Sequence, residues 1–372
     1  MTSPMDRIPV ARPQLGLRER EYVLDCVESG WISSVGKYIA AFEERFARFC
    51  NVEHAIATNN GTTALHLALV ALGVKPDDEV LVPTVTYIAT ANAVRYCHAT
   101  PILVDVCADT MTIDPTQIEK KITGRTKGII PVHLYGHPAD MSAINEIARR
   151  RRLWVLEDAA EAHGAEVDKR RVGGLGTCGV FSFFGNKIIT TGEGGAVTTS
   201  DPDLAARLRL HRGQGMDPKR RYWFEVVGYN YRMTNIQAAL GLAQMEGVDA
   251  ALAARDQIAR WYGDALAPMA DRLILPRAKP GVRHVYWMYT VFLREGGEHR
   301  RDAVMRRLDA AGIETRPVFY PMHVMPPYEE KASYPVADEW SARGISLPTF
   351  QGLTKAQIAR VAMSLAEALA AS

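Results

Sequence analysis

The sequence predicts an α/β fold, a mainly parallel sheet of seven strands covered by helices, with a smaller α+β domain after it. Three observations carry this prediction. Between about residues 50 and 200, short β-branched runs alternate with helical patterns, the order that builds a parallel sheet. From 235 to 266 the chain is Ala-rich and helical, broken only at Gly241 and Gly247, and so leaves the sheet. After it come strand-like runs and helical patterns in the proportion of a small α+β unit.

Taken in order, the strands are expected at 54–58, 79–83, 101–106, 128–134, 153–158, 180–184 and 196–199. Each is a short run rich in Val, Ile, Leu or Phe that ends in turn chemistry. Residues 159–163 read as the start of a helix. In the second domain, 272–276 and 285–295 read as strands, and 302–311 and 354–371 as helices. The Pro-rich, aromatic segment 316–348 reads as an ordered loop system beside the site. These patterns divide the chain into a large domain, 1–248, and a small one, 249–372, with the N-terminal residues available to pack on the small domain.

A chain of 372 residues can bury a large core. Its net charge of +2 excludes a nucleic-acid binder held by bulk electrostatics, despite basic clusters at 149–152, 169–171 and 219–221. The five cysteines, at 26, 50, 97, 107 and 178, show no CxxC spacing and no zinc-like His pairing. They read as the reduced thiols of a cytoplasmic protein. The N-terminus lacks a signal-peptide apolar core, and no apolar run is long enough to span a bilayer. A soluble protein with neither membrane nor nucleic-acid partners is expected.

The chemistry is read from four strand ends. Lys187 follows the aromatic strand through Phe181-Ser182-Phe183-Phe184 and the turn Gly185-Asn186, so the sheet would deliver Ser182 and Lys187 to one rim, where open α/β sheets bind ligands. A primary amine condenses reversibly with an aldehyde once its proton is lost, and that suits pyridoxal phosphate. Asn59-Asn60-Gly61-Thr62-Thr63 joins a strand to a helix, and its amides suit either a phosphate or an ordinary N-cap. Asp158 ends the strand Trp154-Val155-Leu156-Glu157-Asp158. It fits a partner for a pyridine nitrogen, an N-cap or a magnesium ligand. Tyr87 follows the strand at 79–83 and offers an aromatic face. The chain has neither a Walker A loop nor a G-x-G-x-x-G turn. A phosphate cradle, an aromatic, an acid and a lysine in that order on the strand ends of one sheet point to one cofactor site.

At these motifs, and over nearly its whole length, the chain resembles the DegT/DnrJ/EryC1/StrS family of sugar aminotransferases. The likeness is carried by Gly30-Trp31-Ile32-Ser33-Ser34-Val35-Gly36, by 59–69, by 181–195, by Arg212-Gly213-Gln214-Gly215-Met216-Asp217-Pro218, by Arg221-Tyr222-Trp223-Phe224, by Tyr229-Asn230-Tyr231-Arg232-Met233-Thr234-Asn235 and by Arg316-Pro317-Val318-Phe319. The resemblance implies a type I, aspartate aminotransferase-like fold, pyridoxal 5'-phosphate as cofactor, and a homodimer with shared active sites. It implies that Lys187 binds the cofactor aldehyde and moves protons, that Asp158 pairs with the ring nitrogen, and that Tyr87 stacks on the ring. Gly61, Thr62 and Ser182 would hold the phosphate, joined by Asn230 from the partner subunit. Glu161 resembles the position that bonds the ring hydroxyl, and His163 stands where relatives suggest an apolar residue. Trp31, Lys219, Arg220 and Arg221 fall where a sugar nucleotide would lie. The implied reaction passes the amino group of L-glutamate to C4 of GDP-4-keto-6-deoxy-D-mannose. A dTDP- or UDP-linked sugar and a non-catalytic cofactor-binding protein are the alternatives. Relatives with His in place of the lysine dehydrate instead, and Lys187 argues against that chemistry.

Overall fold

The computed structural model describes residues 7–371. Two helices, α1 (Leu17–Ser29) and α2 (Lys37–Cys50), precede the large sheet. The sheet segment then runs β1 (His54–Thr58), α3 (Gly61–Ala71), β2 (Glu79–Pro83), α4 (Ala89–Tyr96), β3 (Thr100–Val104), α5 (Pro115–Lys121), β4 (Thr126–Ile129), α6 (Met141–Arg151) and β5 (Trp154–Asp158). A small excursion, β6 (Glu166–Val167) and β7 (Arg170–Arg171), leads to β8 (Cys178–Ser182), β9 (Gly195–Thr199) and α7 (Pro202–Arg212). The strands order as β1-β9-β8-β5-β4-β2-β3. β9 runs antiparallel to both of its neighbours, and every other pairing is parallel.

All seven expected strands are present, and the reason is burial. A parallel strand covered on both faces reads as a continuous apolar run, and β2, β8 and β9 are buried at every residue. Two expectations differ. The run 128–134 does not continue as strand past Ile129, because Pro131 has no N–H to donate and the chain turns through a single bridge, Val132 to Asp158. Residues 159–163 form no helix. Ala160 N–H donates back to Asp158 Oδ1 at 3.2 Å, and two successive turns, from Ala162 to Ala159 and from Ala165 to Ala162, carry the chain to β6. Likewise β8 ends at Ser182 rather than 184, so Lys187 sits in a turn closed by its own N–H to Phe184 O at 2.9 Å.

Beyond α7, α8 (Asn235–Glu246) opens with a capping box between Thr234 and Gln237, and α9 (Val248–Leu266) follows a break at Gly247. After them come β10 (Leu273–Ile274), β11 (Val282–Arg283), β12 (Tyr289–Leu293), α10 (Glu298–Ala310), β13 (Arg316–Pro317), α11 (Pro335–Ser341), β14 (Gly344–Leu347) and α12 (Lys355–Ala370). An antiparallel sheet forms in the order β10-β12-β14-β13. Thus the Pro-rich segment 316–348 is ordered, as expected, but it also supplies two of the four strands of the second sheet. Near the N-terminus, Ile8 pairs with Ile313 and packs in the core beneath that sheet.

Consecutive residues of a strand point to opposite faces, and this separates the two carboxylates that end β5. Glu157 is wholly buried on the face away from the site. Its oxygens accept the N–H groups of Gly173 (2.8 Å), Leu175 (2.7 Å) and Gly176 (2.7 Å), and His133 Nε2 lies 3.0 Å away. Because His133 Nδ1 accepts the Ala139 N–H at 3.0 Å, its Nε2 carries the proton and donates to Glu157. Four donors therefore lock the end of β5 to the loop before β8. Glu157→Ala would leave all four unpaired and should lower unfolding free energy by about 3–5 kcal/mol. Urea denaturation checks this, and a loss below about 1 kcal/mol would contradict it.

Candidate active site

A cavity of about 530 Å³ opens at the C-terminal ends of β1, β2, β5 and β8, the edge at which α/β sheets hold ligands. Of the residues expected there, Gly61, Thr62, Tyr87, Asp158, Glu161, Ser182 and Lys187 line it together. Trp287, Arg316, Phe319 and Ser346 close it from the side of the second sheet.

One end is built by the N-terminus of α3. Asn60 Oδ1 caps the helix by accepting the Thr63 N–H at 2.8 Å, while helix geometry leaves the Gly61 and Thr62 N–H groups without a partner inside the helix. Ser182 lies so close that a Cβ on Gly61 would stand 2.8 Å from its own Cβ. Glycine is therefore needed for the β8 hydroxyl and the α3 amides to face one point, an arrangement suited to a phosphate.

The other end is acidic and buried. Asp158 is 5% exposed, and its Oδ2 accepts the Thr90 hydroxyl at 2.7 Å. Burial raises its carboxyl, and the bonds from Thr90 and Ala160 and the charge of Lys187 pull it back. A buried carboxyl that accepts these two bonds keeps acceptor capacity for a cationic N–H in the cavity it lines. Lys187 is also buried, which lowers its amine below the ordinary lysine value against the charges of Glu161 and Asp158. Its Nζ lies 3.8 Å from Glu161 Oε1 and 3.8 Å from the centroid of the Trp287 ring. Burial pushes Glu161 up to about 7, against Lys187 and the Tyr135 N–H. Phosphate cradle, buried acid, amine and the Tyr87 ring, 6.0 Å from Phe319, fit pyridoxal phosphate.

Several lining residues were not foreseen. Trp287 is held by its Nε1, which donates to Asn186 O at 2.9 Å, and nothing in its local sequence marks it. Tyr135 adopts a left-handed backbone (φ 55) that aims its N–H at Glu161 Oε2, 2.8 Å away, while its hydroxyl accepts the Phe319 N–H at 3.1 Å. Arg316 and Phe319 had a signal in the Pro-rich aromatic segment, and Thr90 had one in its spacing of three residues from Tyr87.

Five expected residues lie outside this cavity: Trp31, Lys219, Arg220, Arg221 and Asn230. Lys219 and Arg220 donate their N–H groups to Asp217 Oδ1, and the Arg220 guanidinium sits 4.0 Å from the Trp223 ring centroid. Asn230 Oδ1 accepts from Arg232 Nε at 3.1 Å. His163 is wholly buried against the Phe181 and Phe183 rings. Burial, with Lys187 nearby, pushes it down to about 3 against a weaker pull from the Ser182 backbone, so it is a neutral core imidazole. Among the described residues, no group of three or more His, Cys, Asp or Glu side chains is placed to hold a metal.

The model of the DegT/DnrJ/EryC1/StrS aminotransferase family matches residues 13–366. The chain is 58% identical to GDP-perosamine synthase of Caulobacter vibrioides, over 99% of this chain and all of that protein. It is 47% identical to GDP-perosamine synthase of Escherichia coli O157:H7, over 98% of this chain and 99% of that one. Among solved structures it resembles DesV of S. venezuelae, at 37% identity and a TM-score of 0.89, over 97% of this chain and 98% of that one.

The depressed value of His163 fixes a pH dependence. The unfolded chain protonates this histidine near 6.5 and the folded chain only near 3, so its neutral burial destabilises the fold as pH falls through that window. His163→Phe removes the effect. Between pH 7 and pH 5 the variant should gain about 2 kcal/mol on the wild type, at ~1.36 kcal/mol per unit below 6.5. Denaturation at both pH values checks this, and a difference that does not change with pH would contradict it.

Proposed function

The chain belongs to the DegT/DnrJ/EryC1/StrS aminotransferase family, and we propose that it moves the amino group of L-glutamate to C4 of GDP-4-keto-6-deoxy-D-mannose, giving GDP-perosamine and 2-oxoglutarate. The observation that carries the chemistry is Lys187, a buried amine in one cavity with Asp158 and the amides of α3. The choice of sugar nucleotide is supported by the two full-length GDP-perosamine synthases to which the chain is similar.

Bound pyridoxal phosphate supplies an aldehyde that accepts the amino group and a ring that draws electrons from the reacting carbon. The residues supply the rest. The Gly61 and Thr62 N–H groups and the Ser182 hydroxyl would bind the phosphate, and Asp158 would accept a ring N–H and so keep that nitrogen protonated. Tyr87 would cover the ring, and Glu161 would hold its hydroxyl. Lys187, whose hold on its proton burial weakens, would take a proton from the donor's carbon and return it to the neighbouring reacting carbon.

The outlying residues belong to the same reading. Tyr222, Trp223, Phe224 and Val227 are exposed apolar side chains around the Lys219–Arg221 run, and Trp31 is another. A second copy of the chain would cover such a surface and bring Asn230 to the phosphate of its neighbour's site. Trp31, Lys219, Arg220 and Arg221 would then face the sugar nucleotide, the cations pairing with its diphosphate. No described helix is long and apolar enough to cross a membrane. The free thiols of all five cysteines support a cytoplasmic enzyme.

Mass spectrometry after incubation with cofactor, L-glutamate and, separately, GDP-, dTDP- and UDP-linked 4-keto-6-deoxyhexoses should find amination of the GDP-mannose derivative alone. Amination of another member would overturn the substrate, and amination of none would overturn the reaction. Lys187→Ala should lower turnover by about 10²–10⁴-fold or more. Replacing Arg220 and Arg221 together by Ala should raise the KM for the sugar nucleotide roughly tenfold or more and spare the glutamate half-reaction. Equal losses in both halves would remove these two residues from the sugar site.

A further inference from the structure

Glu161 is placed to do more than touch the cofactor ring. Its Oε1 lies 3.8 Å from Lys187 Nζ, and the two side chains are 5% and 11% exposed. Its Oε2 is fixed by the Tyr135 N–H at 2.8 Å. Tyr135 presents that N–H from a left-handed backbone, a conformation few non-glycine residues adopt. That conformation is braced from the second sheet, by the Phe319 N–H on the Tyr135 hydroxyl and by Tyr135 ring stacking on Phe319 and Trp287. The carboxyl is thus held with one oxygen tied and the other facing the amine.

The remaining charged or titratable groups around the pair are Asp158, which acts on both members, and His163, which is near Lys187. His163 is neutral, as described above. Two separate charges 3.8 Å apart on side chains this buried would lose much of their hydration without a direct hydrogen bond to offset it. A pair that carries a single proton avoids that loss.

We propose that Glu161 is the proton partner of Lys187: its carboxyl takes up the proton the amine releases and returns it when the amine is recharged. An N–H bond of Lys187 breaks as an O–H bond of Glu161 forms, and no electrons leave the pair. The flexible lysine stem closes the remaining gap. Burial moves both groups towards their neutral forms, the carboxyl up to about 7 and the amine downward. Glu161 is a positioning residue in this role, since it acts through Lys187, and the inference rests on the part proposed for Lys187 above.

Infrared difference spectra of the cofactor-free protein, wild type minus Glu161→Gln, test the pairing directly. A protonated-carboxyl carbonyl band should be present in the wild type at acid pH, absent in the variant, and lost with a midpoint near 7. In Lys187→Ala that midpoint should move upward, because the amine that favours the carboxylate is gone. A second readout is the rate at which visible absorbance appears on adding pyridoxal phosphate. The wild-type rate should show an inflection near the same midpoint, Glu161→Gln should lose it, and Glu161→Asp should keep it at a shifted pH. A carboxyl ionised across the neutral range, a midpoint unmoved by Lys187→Ala, or an inflection that survives in Glu161→Gln would overturn the proposal. Should the wild type develop no absorbance at all, the cofactor reading of the site falls, and the infrared midpoints still decide the pairing.

Discussion

The desolvation of one amine is the constraint on which this site depends. Lysine is ordinarily a strongly hydrated cation, and burying it favours the form without its proton. Lys187 is buried beneath Trp287 and beside Glu161, within the field of Asp158. The two carboxylates favour its charged form and burial opposes them. The amine is useful only if neither side prevails completely, because an amine fixed as a cation cannot attack an aldehyde and one that never holds a proton cannot deliver it.

The fold maintains that balance by keeping structural and chemical carboxylates apart. Glu157 and Asp158 are neighbours in sequence, yet the strand turns them to opposite faces. Glu157 is saturated by donors from the 173–176 loop and by His133, and it anchors the strand. Among the described residues Asp158 keeps only the Thr90 hydroxyl and the Ala160 N–H on its carboxyl, and so retains acceptor capacity towards the cavity. The segment after β13 contributes through Phe319, whose N–H on the Tyr135 hydroxyl joins the cover of the cavity to the carboxyl beside the amine.

Most of the large sheet was legible because its strands are buried on both faces and read as short apolar runs between turn residues. The limits lay at the ends of strands. Pro131 stops the continuation of β4, and Asp158 draws the Ala160 N–H to itself, so that a stretch with helical composition becomes a pair of turns. The site was legible wherever the chemistry was local: a glycine opening a helix, an acid ending a strand, a lysine after an aromatic strand. Trp287 and Tyr135 were not, since their roles arise from contacts distant in sequence, Trp287 with Asn186 and Lys187, and Tyr135 with Glu161 and Phe319. Trp31 and Asn230 entered only through family resemblance, the Lys219–Arg221 run also as a basic cluster, and within one chain they lie away from the cavity.

The central claim is that one lysine amine is the covalent attachment point for the cofactor. The most direct measurement is borohydride reduction of the cofactor-loaded protein, followed by proteolysis and mass mapping of the labelled peptide. The account predicts a single modified peptide, carrying the added pyridoxyl mass on Lys187. Label on any other lysine, or a protein that binds the cofactor and yields no labelled peptide, would contradict it.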